Sequence, residues 1–95
     1  MPYPWRMSRI FFTPHLQRHI AALPAEVSGG TVHDVLKEVF ATNPLLRGYI
    51  LDDQGALRKH LIIFVDGNPV TDRTLLSNPV PAAGEVWVMQ ALSGG

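Results

Sequence analysis

The sequence predicts an α+β domain of two layers, with one main helix packed across a small mixed sheet of four to five strands. Three features carry that prediction: a single amphipathic stretch at helical spacing, an unbroken apolar run in the second half, and β-favouring segments near both ends. A helix with one apolar stripe has to bury it, and one face of a sheet is the natural partner. The chain has 95 residues, enough for one domain with a small core, since a domain of this size buries only somewhat more than ~60% of its unfolded surface. That leaves no room for a separate catalytic domain.

The elements follow in order. Residues 1–6, with Pro2 and Pro4, read as a flexible, dispensable N-terminal extension, and Met7 as an alternative start. Ile10-Phe11-Phe12-Thr13 is rich in β-favouring side chains and stops at Pro14, which predicts a first strand. His15 to Leu23 fits either a long turn or a short helix. A weaker second strand is expected near Ala25 to Ser28, closed by Gly29-Gly30, so that the first two strands form a hairpin. Thr31 then caps a helix to about Thr42, with Asp34 three residues on and Val32, Val35, Leu36, Val39 and Phe40 on one face. Asn43-Pro44 ends it, because proline disfavours helical angles in the residue before it. Leu45, Leu46, Tyr49, Ile50 and Leu51 suggest one more helical turn before an exposed loop, Asp52-Asp53-Gln54-Gly55. Leu61 to Val65 is continuously apolar and bounded by Asp66-Gly67, which predicts a central strand followed by a tight turn. Val70 to Leu76 reads as a short strand with a turn, Asn78 to Gly84 as a proline-rich loop, and Glu85 to Gln90 as the last strand. The domain is thus expected over 7–91, with a flexible tail at 92–95.

Composition narrows the chemistry. Eight basic and eight acidic side chains give no net charge, so there is no global field to recruit nucleic acid or an acidic membrane. There is no cysteine, which excludes disulfides, thiolate metal sites and cysteine nucleophiles. No run is long enough to span a bilayer and the N-terminus lacks an apolar signal core, so a cytoplasmic protein is the expectation. No nucleophile, base and orienting group converge, and no phosphate-binding loop of the Gly-x4-Gly-Lys kind is present, which argues against a stand-alone enzyme.

The last residues, Gly94-Gly95, follow the apolar run Val86-Trp87-Val88-Met89 and the spacer Ala91-Leu92-Ser93. Two residues without side chains can thread a channel too narrow for a Cβ, although terminal glycines are also common in frayed ends. If Val86 and Val88 face the helix, Trp87, Met89 and Ala91 point to the opposite face of the sheet. A large aromatic and a flexible thioether there suit a partner interface. The alternative is that the 45–59 segment or Tyr3-Pro4-Trp5 folds over them.

Taken together, the order of elements, the helix start Gly30-Thr31-Val32, the strand Leu61 to Val65 with its Asp66-Gly67 turn, and Val86-x-Val88 ending in Leu92-Ser93-Gly94-Gly95 resemble the MoaD/ThiS family. These are ubiquitin-like, β-grasp sulfur carriers, and the resemblance covers about residues 7–95. The Leu45 to Lys59 insertion is similar to the longer MoaD- and CysO-type members. The chain departs from the family at Ala83-Gly84-Glu85, where Gly-Asp often precedes the last strand. The resemblance implies that an E1-like enzyme adenylates Gly95 and that sulfur then converts it to a thiocarboxylate. Gly95 would be the reacting residue and Gly94 the clearance residue, with Trp87, Met89, Ala91, Leu92 and Ser93 at the partner surface. ATP and Mg²⁺ would belong to the activating partner, and this chain would bind no cofactor or metal itself. A downstream sulfur-accepting synthase is the second implied partner. Two other classes stay open: a ubiquitin-like modifier joined to lysine through Gly95, and a non-catalytic β-grasp interaction module.

Other residues read more plainly. His15 and His19 stand four apart but have no evident third ligand, so exposed histidines are the simpler reading. His33 and His60 have ordinary surface readings, Asp52-Asp53 that of a solvated turn, and Arg58-Lys59-His60 that of a solvated strand edge.

Overall fold

A computed structural model describes residues 7–13, 26–28 and 30–90. The expected extension at 1–6, the ambiguous His15 to Leu23 stretch, and the segment 91–95 lie outside these residues. The described elements are β1 (Arg9–Phe12), α1 (Val32–Thr42), α2 (Leu46–Ile50), β2 (Leu61–Val65), β3 (Asn68–Pro69) and β4 (Glu85–Gln90). The sheet order is β1-β4-β2-β3. β1 runs parallel to β4, while β2 pairs antiparallel with both β4 and β3. The last strand in sequence is therefore an inner strand in space.

Helix α1 begins as its sequence dictates. Thr31 stays extended and its Oγ1 accepts the Asp34 N–H at 3.2 Å, which satisfies one of the orphan donors of the first turn. Two more are taken by the 76–78 loop, with Val32 N–H donating to the Asn78 carbonyl and His33 N–H to that of Leu76. At the other end the buried Asn43 closes the helix, its backbone N–H and side-chain amide both donating to the Val39 carbonyl. Val32, Val35, Leu36 and Val39 are buried against Ile10 and Phe12 of β1, Leu61 and Ile63 of β2, and Val86 and Val88 of β4 in one continuous core. Phe40, expected in that stripe, is only half-buried and packs on the core's edge. Leu46 and Ile50 of α2 join the core, whereas Leu45 and Tyr49 point to solvent.

Two strand expectations need correction. Among the described residues of the expected second strand, 26–28, the pairing is one antiparallel bridge, Ser8 to Val27, with both N–H···O bonds at 2.8 Å. Beyond it, the Ser28 N–H and hydroxyl turn to the Glu38 carboxylate instead of to β1. The short strand expected at Val70 to Leu76 is instead Asn68–Pro69, reached through the Asp66-Gly67 turn. Both turn residues have positive φ, 49° and 84°, as a two-residue type I′ hairpin requires. Pro69 cannot donate to a further neighbour, which suits an edge strand.

After one more ladder bond, from Val70 N–H to the Ile63 carbonyl, Asp72 takes over the backbone. Its carboxylate accepts from the N–H groups of Thr74, Leu75 and Ser77 and from the Ser77 hydroxyl. The Ser77 hydroxyl, followed by these amides, lowers the Asp72 pKa from 3.8 to about 2. Leu76 closes the turn at φ 54° with its side chain fully buried, a strained backbone held in place by core packing and the Asp72 network. Where the family resemblance departs, Ala83 supplies the positive φ, 61°. Gly84 is needed for a different reason, because a Cβ on it would lie 2.8 Å from the Pro81 carbonyl. No helix of the described residues is long and apolar enough to cross a membrane.

Candidate functional site on the outer sheet face

Alternation along β4 sorts its side chains as the sequence predicts. Val86 and Val88 are buried, while Trp87 is 37% exposed and Met89 is half-buried. The register then shows which residues share the outer face with them. Phe11 of β1 and Phe64 of β2 stand directly opposite Trp87 on either side, and Ile62 stands opposite Met89. Directly opposed residues lie on one face with their Cβ atoms about 4.5–5.5 Å apart. An apolar row of Phe11, Trp87 and Phe64 therefore crosses three strands, flanked by Ile62 and Met89.

The row is ordered as well as apolar. The Phe11 and Trp87 rings stack with centroids 4.5 Å apart and planes 16° from parallel, an offset-stacked arrangement that adds to simple burial. The indole N–H points along its own strand to the Glu85 carboxylate at 3.4 Å. The start of β4 is held in turn by Asp66, whose N–H donates to the Glu85 carbonyl and whose Oδ1 accepts the Glu85 N–H. Trp87 thus sits on a strand fixed on both sides and at its entry, which restricts how its ring is presented.

Trp87 and Met89 therefore stand together where the alternation places them. Ala91, Leu92, Ser93, Gly94 and Gly95 lie outside the described residues. Phe11, Ile62 and Phe64 were missed as members of the face because the strand readings gave no register between strands. Period two along Ile10-Phe11-Phe12 and along Leu61 to Val65 carried the signal, once the pairing with β4 is known. The secondary candidates come to little. Asp52 accepts the Gln54 and Ala56 N–H groups in its own turn, and His33 pairs with Asp34 at 3.7 Å. Arg58 donates to the Gly48 carbonyl. His15 and His19 lie outside the described residues, and among those described no three His, Asp or Glu side chains are grouped to hold a metal ion.

No protein-family model and no curated protein matches the sequence. Solved structures do match. The chain is similar to small archaeal modifier protein 1 of H. volcanii, with 18% identity over 90% of this chain and 98% of that one and a TM-score of 0.75. The small archaeal modifier protein 1 of Methanosarcina acetivorans matches with 21% identity, 94% and 96% coverage and a TM-score of 0.74. A chain of the Amycolatopsis orientalis BexX/CysO complex matches with 17% identity, 93% and 99% coverage and a TM-score of 0.75. At such identities the likeness is one of fold, and it spans nearly the whole of each chain. The fold is the ubiquitin-like β-grasp, as the resemblance to the MoaD/ThiS family implied.

Proposed function

We propose that this protein is a sulfur carrier whose Gly95 carboxylate is activated by a partner enzyme and converted to a thiocarboxylate. The observation that carries the reading is the position of β4. It is an inner strand that holds Trp87 on the outer face and ends at Gln90, five residues before Gly95. A partner that docks on the Phe11–Trp87–Phe64 row would thereby fix the point from which the segment 91–95 departs. The fold shared with a modifier protein and with a chain of the BexX/CysO complex supports the same class of protein.

The chemistry needs little from the chain itself. A carboxylate is a poor electrophile, so the partner would let Gly95 attack ATP, releasing pyrophosphate and forming an acyl-adenylate. Sulfide would then displace AMP, leaving the thiocarboxylate for a sulfur-accepting synthase. This chain is the co-substrate of that sequence and not its catalyst, and an ATP-using partner is in keeping with a cytoplasmic setting. Gly94 and Gly95 give clearance, while Trp87, Met89, Ala91, Leu92 and Ser93 make the partner surface. A second reading is favoured by the likeness to small archaeal modifier protein 1: the same acyl-adenylate would be attacked by a lysine amine to form an isopeptide bond.

The test is mass spectrometry after incubation with the activating enzyme from the same genome, ATP, Mg²⁺ and a sulfur donor. The carrier reading expects one oxygen replaced by sulfur at Gly95. Deletion of Gly95 or Gly94→Val abolishes the gain while leaving the melting temperature unchanged, since a β-branched side chain obstructs a narrow channel. A deletion variant that still gains sulfur refutes the reading. Gly95 recovered on lysine side chains of other proteins establishes the modifier instead.

A further inference from the structure

On the helical side of the molecule, away from the outer sheet face, a groove of about 320 Å³ opens between α1, α2 and the 51–55 and 76 segments. Its floor is apolar, made by Leu36, Leu51 and Leu76 with the half-buried ring of Phe40. Its rim is cationic: Lys37 from α1 and Arg47 from α2, with His33 one turn before Lys37. Among the described residues no carboxylate lines it. In a chain of zero net charge, that is a local concentration of one sign.

The two permanent cations are also free. Among the described residues neither Lys37 nor Arg47 has an ion pair or a side-chain hydrogen bond, and three nearby carboxylates are held by hydrogen bonds of their own. Glu38 accepts from Ser28, Asp52 from Gln54 and Ala56, and Asp72 from its own turn. Asp34 faces His33. The Arg47 guanidinium lies over Gly55, its Nη2 3.8 Å from where a Cβ would stand. Gly55 adopts φ 84°, a conformation natural to glycine, and so leaves the groove edge low. A guanidinium with five donors and no acceptor is matched by a carboxylate, which it binds through two parallel hydrogen bonds.

We propose that this groove is a docking site for a short acidic peptide segment of a partner protein, anchored by an apolar side chain on the Leu36, Phe40 and Leu76 floor and held by carboxylates on Lys37 and Arg47. A concave recess with an apolar floor suits a side chain. A membrane surface would instead call for a broad convex basic patch, which the balanced charge does not provide. The groove shares no lining residue with the Trp87 face, so the two surfaces can engage different partners.

The experiment is a titration of the ¹⁵N-labelled full chain, followed by amide shifts, with a synthetic peptide carrying a Leu-Phe pair flanked by Asp and Glu. The expected result is saturable shifts centred on residues 33, 36, 37, 40, 47, 55 and 76, weakening as salt rises. Lys37→Glu combined with Arg47→Glu should reduce affinity by about tenfold or more, while Lys37→Arg, which keeps both charges and the Arg47 fork, retains binding. Both positions are exposed, so neither the reversal nor Lys37→Arg should alter the melting temperature. The proposal is overturned if the peptide gives no saturable shift, or if a peptide with Lys in place of Asp and Glu binds equally well. It is equally overturned if the charge reversal leaves binding intact. Equal perturbation by inorganic phosphate would reveal a simple anion site, and binding to phosphatidylserine vesicles but not to the peptide a membrane face; either result replaces it.

Discussion

The depth of α1 in the core can be measured by comparing two truncations on the same helix, Leu36→Ala and Phe40→Ala. Leu36 is 1% exposed and meets the sheet through stiff β-branched neighbours, Val32, Val35 and Val39 on α1 and Val86 and Val88 beyond, which leave little scope for collapse. Leu36 forms part of the groove floor, yet its side chain is almost wholly buried, so truncation forfeits nearly its full transfer energy and Leu36→Ala is expected to cost about 3 kcal/mol, within the roughly 2–5 kcal/mol range of such changes. Phe40 is the larger residue, and by size alone the greater loss. Its ring, however, is half-buried and already borders a solvent-open groove of about 320 Å³, so truncation widens the groove and creates no sealed void. Only the transfer of a partly buried ring is lost, roughly 1–1.5 kcal/mol. Across 95 residues, a stability of roughly 0.05–0.15 kcal/mol per residue gives about 5–14 kcal/mol in total. Leu36→Ala therefore removes a large fraction and Phe40→Ala a small one. At about 4–8 °C per kcal/mol for a domain of this size, the melting temperature falls by more than about 10 °C in the first case and by about half that or less in the second. Urea unfolding followed by far-UV circular dichroism, with the slope unchanged between variants, gives both values. A Phe40→Ala cost equal to or above that of Leu36→Ala would refute the placement of Phe40 at the core's edge.

Trp87→Ala removes the stack on Phe11 but no core volume, so denaturant unfolding should show a loss of only about 1 kcal/mol, while affinity for the activating partner, read by calorimetry, falls sharply. Gly84→Ala drives a Cβ into the Pro81 carbonyl and is expected to cost about 1–3 kcal/mol as an overpacked contact, again read by urea unfolding. Asp72 has a folded pKa of about 2 against an ordinary 3.8. A depressed carboxylate stabilises the fold above its unfolded pKa and loses that contribution as pH falls through the folded one. Melting temperature should therefore decline from pH 3.8 toward about 2 in the native chain, and that part of the decline should be absent in Asp72→Asn.

The elements legible in the sequence were those whose signal is local. The Thr31 cap, the Val32 to Val39 stripe and the Asn43-Pro44 stop each act within one or two turns of chain, and the structure places α1 within a residue of them. Glu85 to Gln90 and Leu61 to Val65 were equally plain, because buried strands are continuous or alternating by themselves. The elements misjudged were those decided at a distance. Val27 forms a single bridge because the Ser28 donors go to Glu38, on a helix ten residues away in sequence. Val70 to Leu76 leaves the ladder because one carboxylate, Asp72, gathers four donors, and neither its reach nor the buried αL conformation of Leu76 has a sequence signature. The outer face was half-legible for the same reason: alternation exposes Trp87 and Met89, but only the β1–β4–β2 register adds Phe11 and Phe64. The cationic groove joins residues from α1, α2 and two loops, with no pattern along the chain.

The architecture also explains why a chain this small keeps an aromatic row on its surface. With one helical layer, only one face of the sheet is covered from that side, and strand alternation sends every second residue of β1, β2 and β4 to the other. Polar residues at those positions would satisfy folding equally well, since one solvated face is normal for antiparallel pairing. Instead three adjacent strands, β1, β4 and β2, place Phe11, Trp87 and Phe64 in register, and the middle one leads into 91–95. If Gly95 is the reacting residue, its placement matters as much as its chemistry, because displacing a reacting group by ~1 Å can cost about 10²-fold in rate. A partner that grips Trp87 holds the strand from which the segment emerges, with only three residues between Gln90 and Gly94-Gly95 left to position by other contacts. Shortening or lengthening that spacer by one residue should therefore impair activation, read as the gain of sulfur mass at Gly95, about as severely as truncating the Trp87 ring.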